Sequence, residues 1–253
     1  MIRYMITLLA LAATLPAPLC AQEFPAEESE APRDDWSGQV TLYAWGAGVG
    51  GEFTPFTGGP TIEFDKSLGD VLEDLDSAFF ATGLARKGDL VVLADLTYTE
   101  SSRDGLVPPG IPAAGEVSVR SLSLLAGKRF RASEATTIEL LAGVRAWNLE
   151  GEVAVPLAGV ALSPSEEFVD PVAALRMNTQ LAPSLSLLAY GDVGGLGVGS
   201  DLTWQGVATL NYRAARGLYL SAGYRHLWLD RDSDGTVFEG QLSGPLAGIT
   251  LSF

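Results

Sequence analysis

The residues with the most suggestive chemical spacing lie near the carboxyl end of the chain. Asp230, Asp232 and Asp234 precede Gly235 in the pattern D-x-D-x-D-G, which in calcium loops places three carboxylates around one hard cation. The match is incomplete, because position twelve of the loop is Gln241 where a bidentate Glu is required. Asp-Gly is also the strongest short hairpin signal. We therefore expect a solvated hairpin without a metal, with weak divalent-cation binding by the three aspartates as the alternative.

The single histidine, His226, is the natural candidate for a general base. A Ser-His-acid hydrolase would need a nucleophile and an orienting carboxylate beside it. Asp230 and Asp232 follow on the same stretch, but no motif marks an activated serine. We expect His226 to be an interfacial packing residue and the chain to have no enzymatic activity. A hydrolase or lipid-modifying enzyme with His226 and a carboxylate at one rim is the alternative.

The glycines of residues 194–199 have the density of a phosphate loop, but no Lys-Ser/Thr pair follows them and no helix is predicted there. A nucleotide site needs both features. We therefore expect no cofactor.

Ten stretches of alternating polarity must position all of these residues. Strict alternation is typical of strands with two different faces. The stretches cover residues 38–53, 76–87, 89–101, 116–130, 136–152, 168–181, 184–196, 202–213, 217–230 and 237–253.

The connections between these stretches fall into two classes. Residues 86–89, 131–134, 182–183 and 214–216 make tight connections, whereas residues 54–75, 102–115 and 153–167 make long ones. Outer-membrane barrels have short periplasmic turns and longer extracellular loops. The asymmetry predicts an all-β, antiparallel, up-and-down transmembrane barrel of about ten strands, within a range of 8–12. A secreted β-sandwich is the soluble alternative, but it has no need for this asymmetry.

Composition agrees with a membrane barrel. The chain has 253 residues, 47% of them hydrophobic, and a formal net charge of −15. It is too apolar for disorder and too acidic for nucleic acid. Beyond the amino end, no apolar run reaches the length of a transmembrane helix.

The amino end is typical of a secretory signal peptide. Arg3 precedes an apolar stretch that is followed by a small-residue stop at Ala21. Cys20 raises the alternative of a lipoprotein signal, but Leu19 occupies the place where lipoprotein processing requires a small side chain. Cleavage near Ala21 would leave a chain without cysteine. The predicted segments are the signal peptide 1–21, an acidic periplasmic linker 22–37 and the barrel 38–253.

Charged side chains of the predicted strands fall on one parity, which is assigned to the lumen. A narrow barrel has room inside only for side chains. We expect these charges to form a packed network of ion pairs, with a conducting narrow pore as the alternative. The predicted lumen network is Asp95, Glu139, Arg145, Asp170, Arg176, Asp192, Arg213 and Arg225.

Aromatic residues of the other parity sort into two levels, as membrane girdles do. Tyr98, Trp204 and Trp228 fall near the long connections. Phe130, Tyr212 and Phe253 fall near the tight turns.

Three further features concern the loops and the last strand. Ser67 and Asp70 form a capping box before apolar residues at helical spacing, which predicts a short helix in the first external loop, either capping the rim or entering the lumen. The outer rim is acidic and is a possible place for divalent cations. Outward parity counted back from Phe253 fails at Phe238, which predicts a bulge near Ser243 and Gly244.

Three stretches resemble a widespread, largely uncharacterised family of Gram-negative outer-membrane β-barrel proteins in the OmpA/porin-like barrel superfamily. They are residues 194–204, 223–225 and 243–253. The resemblance implies location in the cell outer membrane and contact with outer-membrane lipid and lipopolysaccharide. It also implies recognition of the last strand, with its terminal Phe253, by the barrel-assembly machinery. It implies no reaction.

The expected function is therefore a structural or narrow-pore role, the pore passing small solutes or cations. A surface binding or adhesion protein acting through the long loops 54–75 and 102–115 is a further alternative.

Overall fold

Strands with two different faces account for almost the whole fold. The structure, a computed structural model, describes residues 35–54, 58, 61–107, 111–155, 160–162, 165–233 and 236–253. The predicted signal peptide, most of the predicted linker, and Asp234 with Gly235 lie outside the described residues. The elements are β1 (Ser37–Trp45), β2 (Gly48–Thr54), β3 (Ile62–Lys66), α1 (Leu68–Asp74), β4 (Leu75–Lys87), β5 (Leu90–Val107), β6 (Ile111–Arg131), β7 (Thr136–Val155), β8 (Val160–Leu162), β9 (Ser165–Ala182), β10 (Leu185–Gly195), β11 (Leu202–Ala215), β12 (Leu218–Ser233) and β13 (Thr236–Ser252).

Antiparallel pairing continues all the way around, so the sheet closes into a barrel. β1 pairs with β4 on one side and with β13 on the other, which joins the first strand to the last. β2 continues along β13 where β1 ends, so β1 and β2 together form one wall strand. The wall therefore has ten strands, and the predicted all-β, antiparallel barrel of about ten strands is confirmed.

The two ends of the barrel differ in their connections. Tight turns at residues 88–89, 132–135, 183–184 and 216–217 lie at one end, which we call the turn end. Gly217 in the last of these turns has φ 74°, a left-handed conformation that glycine adopts without a steric penalty. The opposite end, which we call the loop end, carries the two longest connections, residues 46–74 between β1 and β4 and residues 156–164 between β7 and β9. Only residues 108–110 separate β5 from β6 there, and residues 234–235 separate β12 from β13, so most of the predicted long loop 102–115 is strand.

At the loop end, the first wall strand breaks at Gly46 and Ala47 and resumes as β2. β3 and α1 come next in the chain. β3 pairs with β2, and α1 packs against β2, β3 and β5. Helix α1 begins with the predicted capping box, in which Ser67 and Asp70 bond each other's backbone. Gly244 of β13 lies beside the break, where a Cβ would come within 1.8 Å of the Gly46 carbonyl oxygen.

The predicted bulge near Ser243 and Gly244 is wrong. β13 pairs with β12 in one unbroken register from Ser233 to Leu218. The error came from assigning apolar residues to the outer face, whereas Phe238 packs inward against the core. At the loop end of β13 the outward residues Glu239, Gln241 and Ser243 are polar, whereas Phe238 and Leu242 pack inward, so the polarity of the two faces is reversed there.

The interior contains two apolar clusters, one in each half of the barrel. The loop-end cluster is largely aromatic and consists of Trp45, Ala47, Phe80, Trp147, Phe168, Leu227, Leu229 and Leu246. The turn-end cluster is aliphatic and consists of Leu84, Val91, Leu93, Leu125, Leu141, Val172 and Ala174.

The outer face is apolar over most of the strand length. Exposed aliphatic side chains follow the outward parity of each wall strand, among them Leu42, Leu124, Leu140, Leu175, Leu220 and Ile249. In the described part of the chain, no helix is long and apolar enough to cross a membrane.

Candidate functional site in the barrel interior

The turn end of the interior is organised around one buried carboxylate. Glu139 of β7 is 1% exposed, and each of its oxygens accepts from a different arginine. Arg86 Nε of β4 lies 2.9 Å from Oε1, and Arg176 Nη1 of β9 lies 2.7 Å from Oε2. Arg86 also donates to Gln39 of β1. The cluster thus ties together strands that are not neighbours in the wall.

A second ion pair lies farther along the interior, between β7 and β10. Arg145 Nη2 is 2.6 Å from Asp192 Oδ2, and both side chains are buried. The guanidinium also donates from Nε to Ser123 at 2.9 Å. Tyr190 and Gln205 both donate to the Asp192 carboxylate. Further hydrogen bonds help a buried charge pair to be tolerated. Here Ser123 of β6, Gln205 of β11 and Tyr190 of β10 supply them, while Arg145 Nη1 and Asp192 Oδ1 have no hydrogen-bond partner among the described residues.

A third pair spans the lumen from β12 to β5. Arg225 Nη2 lies 3.3 Å from Asp95 Oδ1, and Arg225 also donates to the Tyr43 hydroxyl. The Asp95 carboxylate accepts from Tyr43 at 3.2 Å and from Thr82 at 2.7 Å. The Arg225 guanidinium lies 4.7 Å from the centre of the Trp45 ring. This cation-π contact joins the charged part of the interior to the aromatic part.

Asp170 is the exception among the predicted network residues. It is fully buried, and its carboxylate accepts from the Ser200 amide at 2.7 Å, the Ser200 hydroxyl at 2.9 Å and Trp147 Nε1 at 2.9 Å. Among the described residues, no basic side chain lies within ion-pair distance of it. Neutral donors alone therefore solvate this carboxylate inside the loop-end half.

The aromatic cluster fills the interior above the ion pairs. Tyr43 stacks on Phe80 with ring centres 5.4 Å apart, and Trp147 stacks on Phe168 at 6.1 Å. Arg231 covers the Phe168 ring at 4.1 Å and pairs with Glu166 at 3.1 Å. These contacts occupy the loop-end half of the lumen with side chains.

Arg213 lies outside this arrangement. It sits at the turn end, partly exposed, and donates to the Pro183 carbonyl. The other predicted lumen charges are buried or partly buried in the four groups above. Sequence reasoning missed Arg86, Tyr43, Tyr190 and Gln205 as members. Arg86 could have been found, because it shares the inward parity of Leu84 on β4.

The aspartates near the carboxyl end do not gather around a cation site in the described part of the chain, where no group of three or more metal-ligating residues is found. Asp232 donates its amide to Asp201 at 2.6 Å, and Asp234 lies outside the described residues. Asp230 lies beyond Trp228 toward the loop end. Partial burial raises the pKa of its carboxyl, and the charges of Asp201 and Asp232 raise it further.

The predicted girdle residues lie on the outer face. Trp204, Phe130, Tyr212 and Phe253 are exposed, and Tyr98 and Trp228 are half-buried. His226 shares this face: its ring centre lies 4.6 Å from that of Trp204 with the two planes tilted by 35°, and Nδ1 contacts the Ser243 hydroxyl.

No protein-family model matches the sequence, and no curated protein matches it. Solved structures do match. The outer-membrane protease OmpT from Escherichia coli superposes with a TM-score of 0.57 at 10% identity, over 89% of this chain and 99% of that chain. The chain has the fold of an outer-membrane β-barrel.

Two further structures are similar at lower scores. The translocator domain of the autotransporter NalP from Neisseria meningitidis has a TM-score of 0.46 at 11% identity, covering 90% of each chain. The attachment invasion locus protein Ail of Yersinia pestis has a TM-score of 0.34 at 13% identity, covering 86% of this chain and 98% of that chain. At such identities the likeness concerns the fold alone.

Proposed function

We propose that the protein is an integral outer-membrane β-barrel with a structural, non-enzymatic role and a lumen closed to ions. The apolar outer face between two levels of aromatic residues supports membrane insertion, because a large exposed apolar surface is unfavourable in water. Secretion by cleavage near Ala21, contact with lipopolysaccharide and recognition of Phe253 by the assembly machinery belong to the same proposal. So does membership of the uncharacterised barrel family.

The filling of the lumen is the observation that carries the closed state. A ten-stranded barrel is only slightly wider than the eight-stranded barrels whose interiors are filled by side chains. Here Glu139, Arg145 and Arg225 are engaged in ion pairs, and the aromatic cluster occupies the half beyond them. An ion crossing the barrel would have to displace both the ion-paired side chains and the aromatic cluster. This favours the structural role over the narrow pore.

Planar-bilayer recording of the refolded chain, with its signal segment removed, tests the proposal. Folding is verified first, by the mobility shift between heated and unheated protein on a gel, and insertion by flotation of the protein with lipid vesicles. We expect no steady openings from the inserted protein. A Trp147→Ala, Phe168→Ala double variant removes two rings from the loop-end half. Its conductance is compared with that of the unmodified protein. Steady, cation-selective openings of the unmodified protein would contradict the proposal and establish the narrow pore.

A second candidate function rests on His226. The structure brings the Ser243 hydroxyl to its Nδ1 on the outer face, where lipid esters would be within reach. Within the described residues, however, no carboxylate lies within ion-pair distance of His226 to orient the ring, as a triad requires. Release of fatty acid from phospholipid micelles, lost in both His226→Ala and Ser243→Ala, would establish a hydrolase. No release is expected.

A further inference from the structure

Above the break in the first wall strand, the barrel has two free strand edges. As far as Tyr43 and Phe80, β1 pairs with β4. Beyond the break, β2 continues beside β13, and its other neighbour is β3. In the described part of the chain β3 pairs with β2 alone, and residues 77–79 of β4 pair with β5 alone. Each of these two segments therefore has one edge that meets no partner strand.

The two free edges lie on the same side of the first wall strand and run in the same direction. β13 lies on one side of β1 and β2, so β4 and β3 lie on the other side. Because every pairing is antiparallel, β3 and β4 both run from the loop end toward the turn end. A strand added at either edge and running toward the loop end would continue the antiparallel order.

The free edge of β3 is held in place from below. Lys66, the last residue of β3, pairs with Asp74 of α1 at 2.8 Å. Helix α1 also packs against β2, β3 and β5. A binding surface that is already ordered loses less conformational entropy when a partner binds. The unpaired backbone N–H and C=O groups of such an edge are a template for another extended chain.

The outer face beside this edge is acidic. Glu63 of β3 is exposed, and Asp65 is exposed two residues farther along the same face. One cross-strand row over β12, β13, β2 and β3 consists of four carboxylates, which are Asp230, Glu239, Glu52 and Glu63. Like charges that lie opposite each other destabilise a sheet. Basic side chains on an added strand would offset this repulsion.

We propose that the free edge of β3 binds an extended, cationic polypeptide segment by strand addition. The segment runs antiparallel to β3 and exchanges backbone hydrogen bonds with it, and Lys or Arg at alternate positions meets Glu63 and Asp65. The long connections of outer-membrane barrels are extracellular, so the partner comes from outside the cell. The inference goes beyond the proposed structural role and does not depend on a closed lumen.

Charge selects a foreign segment over a second copy of this chain. If two β3 edges paired with each other, Glu63 and Asp65 of one copy would lie beside the same carboxylates of the other, and the like charges would repel. Charged side chains on edge strands prevent self-association in this way. The same carboxylates attract a strand of opposite charge.

Binding of a synthetic ten-residue peptide of alternating Lys and Val tests the proposal. The refolded chain is titrated into the fluorescently labelled peptide in a non-ionic detergent, and fluorescence anisotropy reports binding. The control peptide has the same sequence but is N-methylated at every residue, which removes the backbone donors and keeps the charge. We expect the control peptide to bind at least tenfold more weakly.

A Glu63→Gln, Asp65→Asn double variant tests the acidic face. It should weaken binding of the unmethylated peptide about tenfold, since charged contacts are lost. The matched control is a Glu150→Gln, Glu167→Gln double variant, which removes two exposed loop-end carboxylates on β7 and β9. Glu150 pairs with Arg120 at 3.7 Å, and neither control residue lies near β3 in the order of the sheet. This variant should leave the affinity unchanged.

Hydrogen–deuterium exchange locates the bound peptide, which should slow exchange in residues 62–66. Equal binding of the two peptides would overturn the proposal, as would equal effects of the two double variants or protection that excludes β3. Slower exchange in residues 62–66 at rising protein concentration without peptide would also overturn it, because a second copy would then be the partner. Failure of the proposed function is seen separately, as ion conduction or failure to insert into a bilayer.

Discussion

The two halves of the lumen are filled by different chemistry. The turn-end half and the middle contain ion pairs bordered by aliphatic side chains, centred on Glu139, Asp192 and Asp95. The loop-end half contains aromatic rings and leucines, together with the buried carboxylate of Asp170, which has no basic side chain within ion-pair distance among the described residues. Both halves exclude solvent, but only the first depends on particular partners.

The two halves maintain the cross-section of the barrel by different interactions. The Glu139 to Arg86 pair links β7 to β4, and the Arg225 to Asp95 pair links β12 to β5. These bonds are directional and cross the lumen, so they fix which strands face each other. The aromatic half resists compression through packing, which tolerates exchange among side chains of similar volume.

Glu139→Ala is expected to have the largest effect on stability. The substitution leaves Arg86 and Arg176 buried without a carboxylate, which costs roughly 3 to 5 kcal/mol when one partner of a buried pair is removed. The free energy of unfolding in urea, measured in lipid vesicles, checks this. Glu150→Ala, which breaks the exposed pair with Arg120, should change it by less than about 1 kcal/mol. Similar values for the two variants would show that the turn-end half does not depend on its charge pairs.

Leu229→Ala tests the loop-end half. Leu229 is 5% exposed within the aromatic cluster, and a buried Leu→Ala change costs about 2 to 5 kcal/mol through lost contacts and the cavity left behind. The same urea transition measures it. Leu124→Ala removes the same atoms from the exposed outer face and is the control. If both variants lose the same free energy, the loop-end cluster is no better packed than the lipid-facing surface.

Ser200→Ala tests the exception in the loop-end half and should have the smallest effect of the three. It removes the hydroxyl donor to Asp170 while the Ser200 amide and Trp147 remain. A hydrogen bond to a charged group contributes about 1.5 to 3 kcal/mol. Ser184→Ala, in an exposed turn, is expected to stay within about 0.5 kcal/mol of the unmodified protein. An unchanged transition for Ser200→Ala would mean that the remaining donors suffice.

Strand positions could be predicted from the sequence, because alternation is a local signal. Facing was predictable only where the apolar side of a strand is its outer side. At the loop end of β13 the outward residues Glu239, Gln241 and Ser243 are polar and Phe238 packs into the interior, so Phe238 was assigned to the wrong face. The break at Gly46 and Ala47 was also missed, because the alternating polarity continues through it.

The charged residues of the interior could be predicted, but their partners could not. Arg145 meets Asp192 and Arg225 meets Asp95 because strand tilt and register bring them to the same height. Strand tilt and register are properties of the closed barrel as a whole, and they leave no local pattern in the sequence. Tyr43 and Gln205, which donate to Asp95 and Asp192 respectively, were missed for the same reason.

The pairing of β1 with β13 has a consequence for biosynthesis. Gly38 and Phe253 exchange two backbone hydrogen bonds, and Thr41 meets Thr250 across 209 residues of chain. The ring therefore closes only when its last strand has arrived, and a polypeptide truncated before β13 would retain two open edges, on β1 and β12. Such edges pair readily with other chains. A chain that stops before β13 would therefore aggregate through its open strand edges and would not form a smaller barrel.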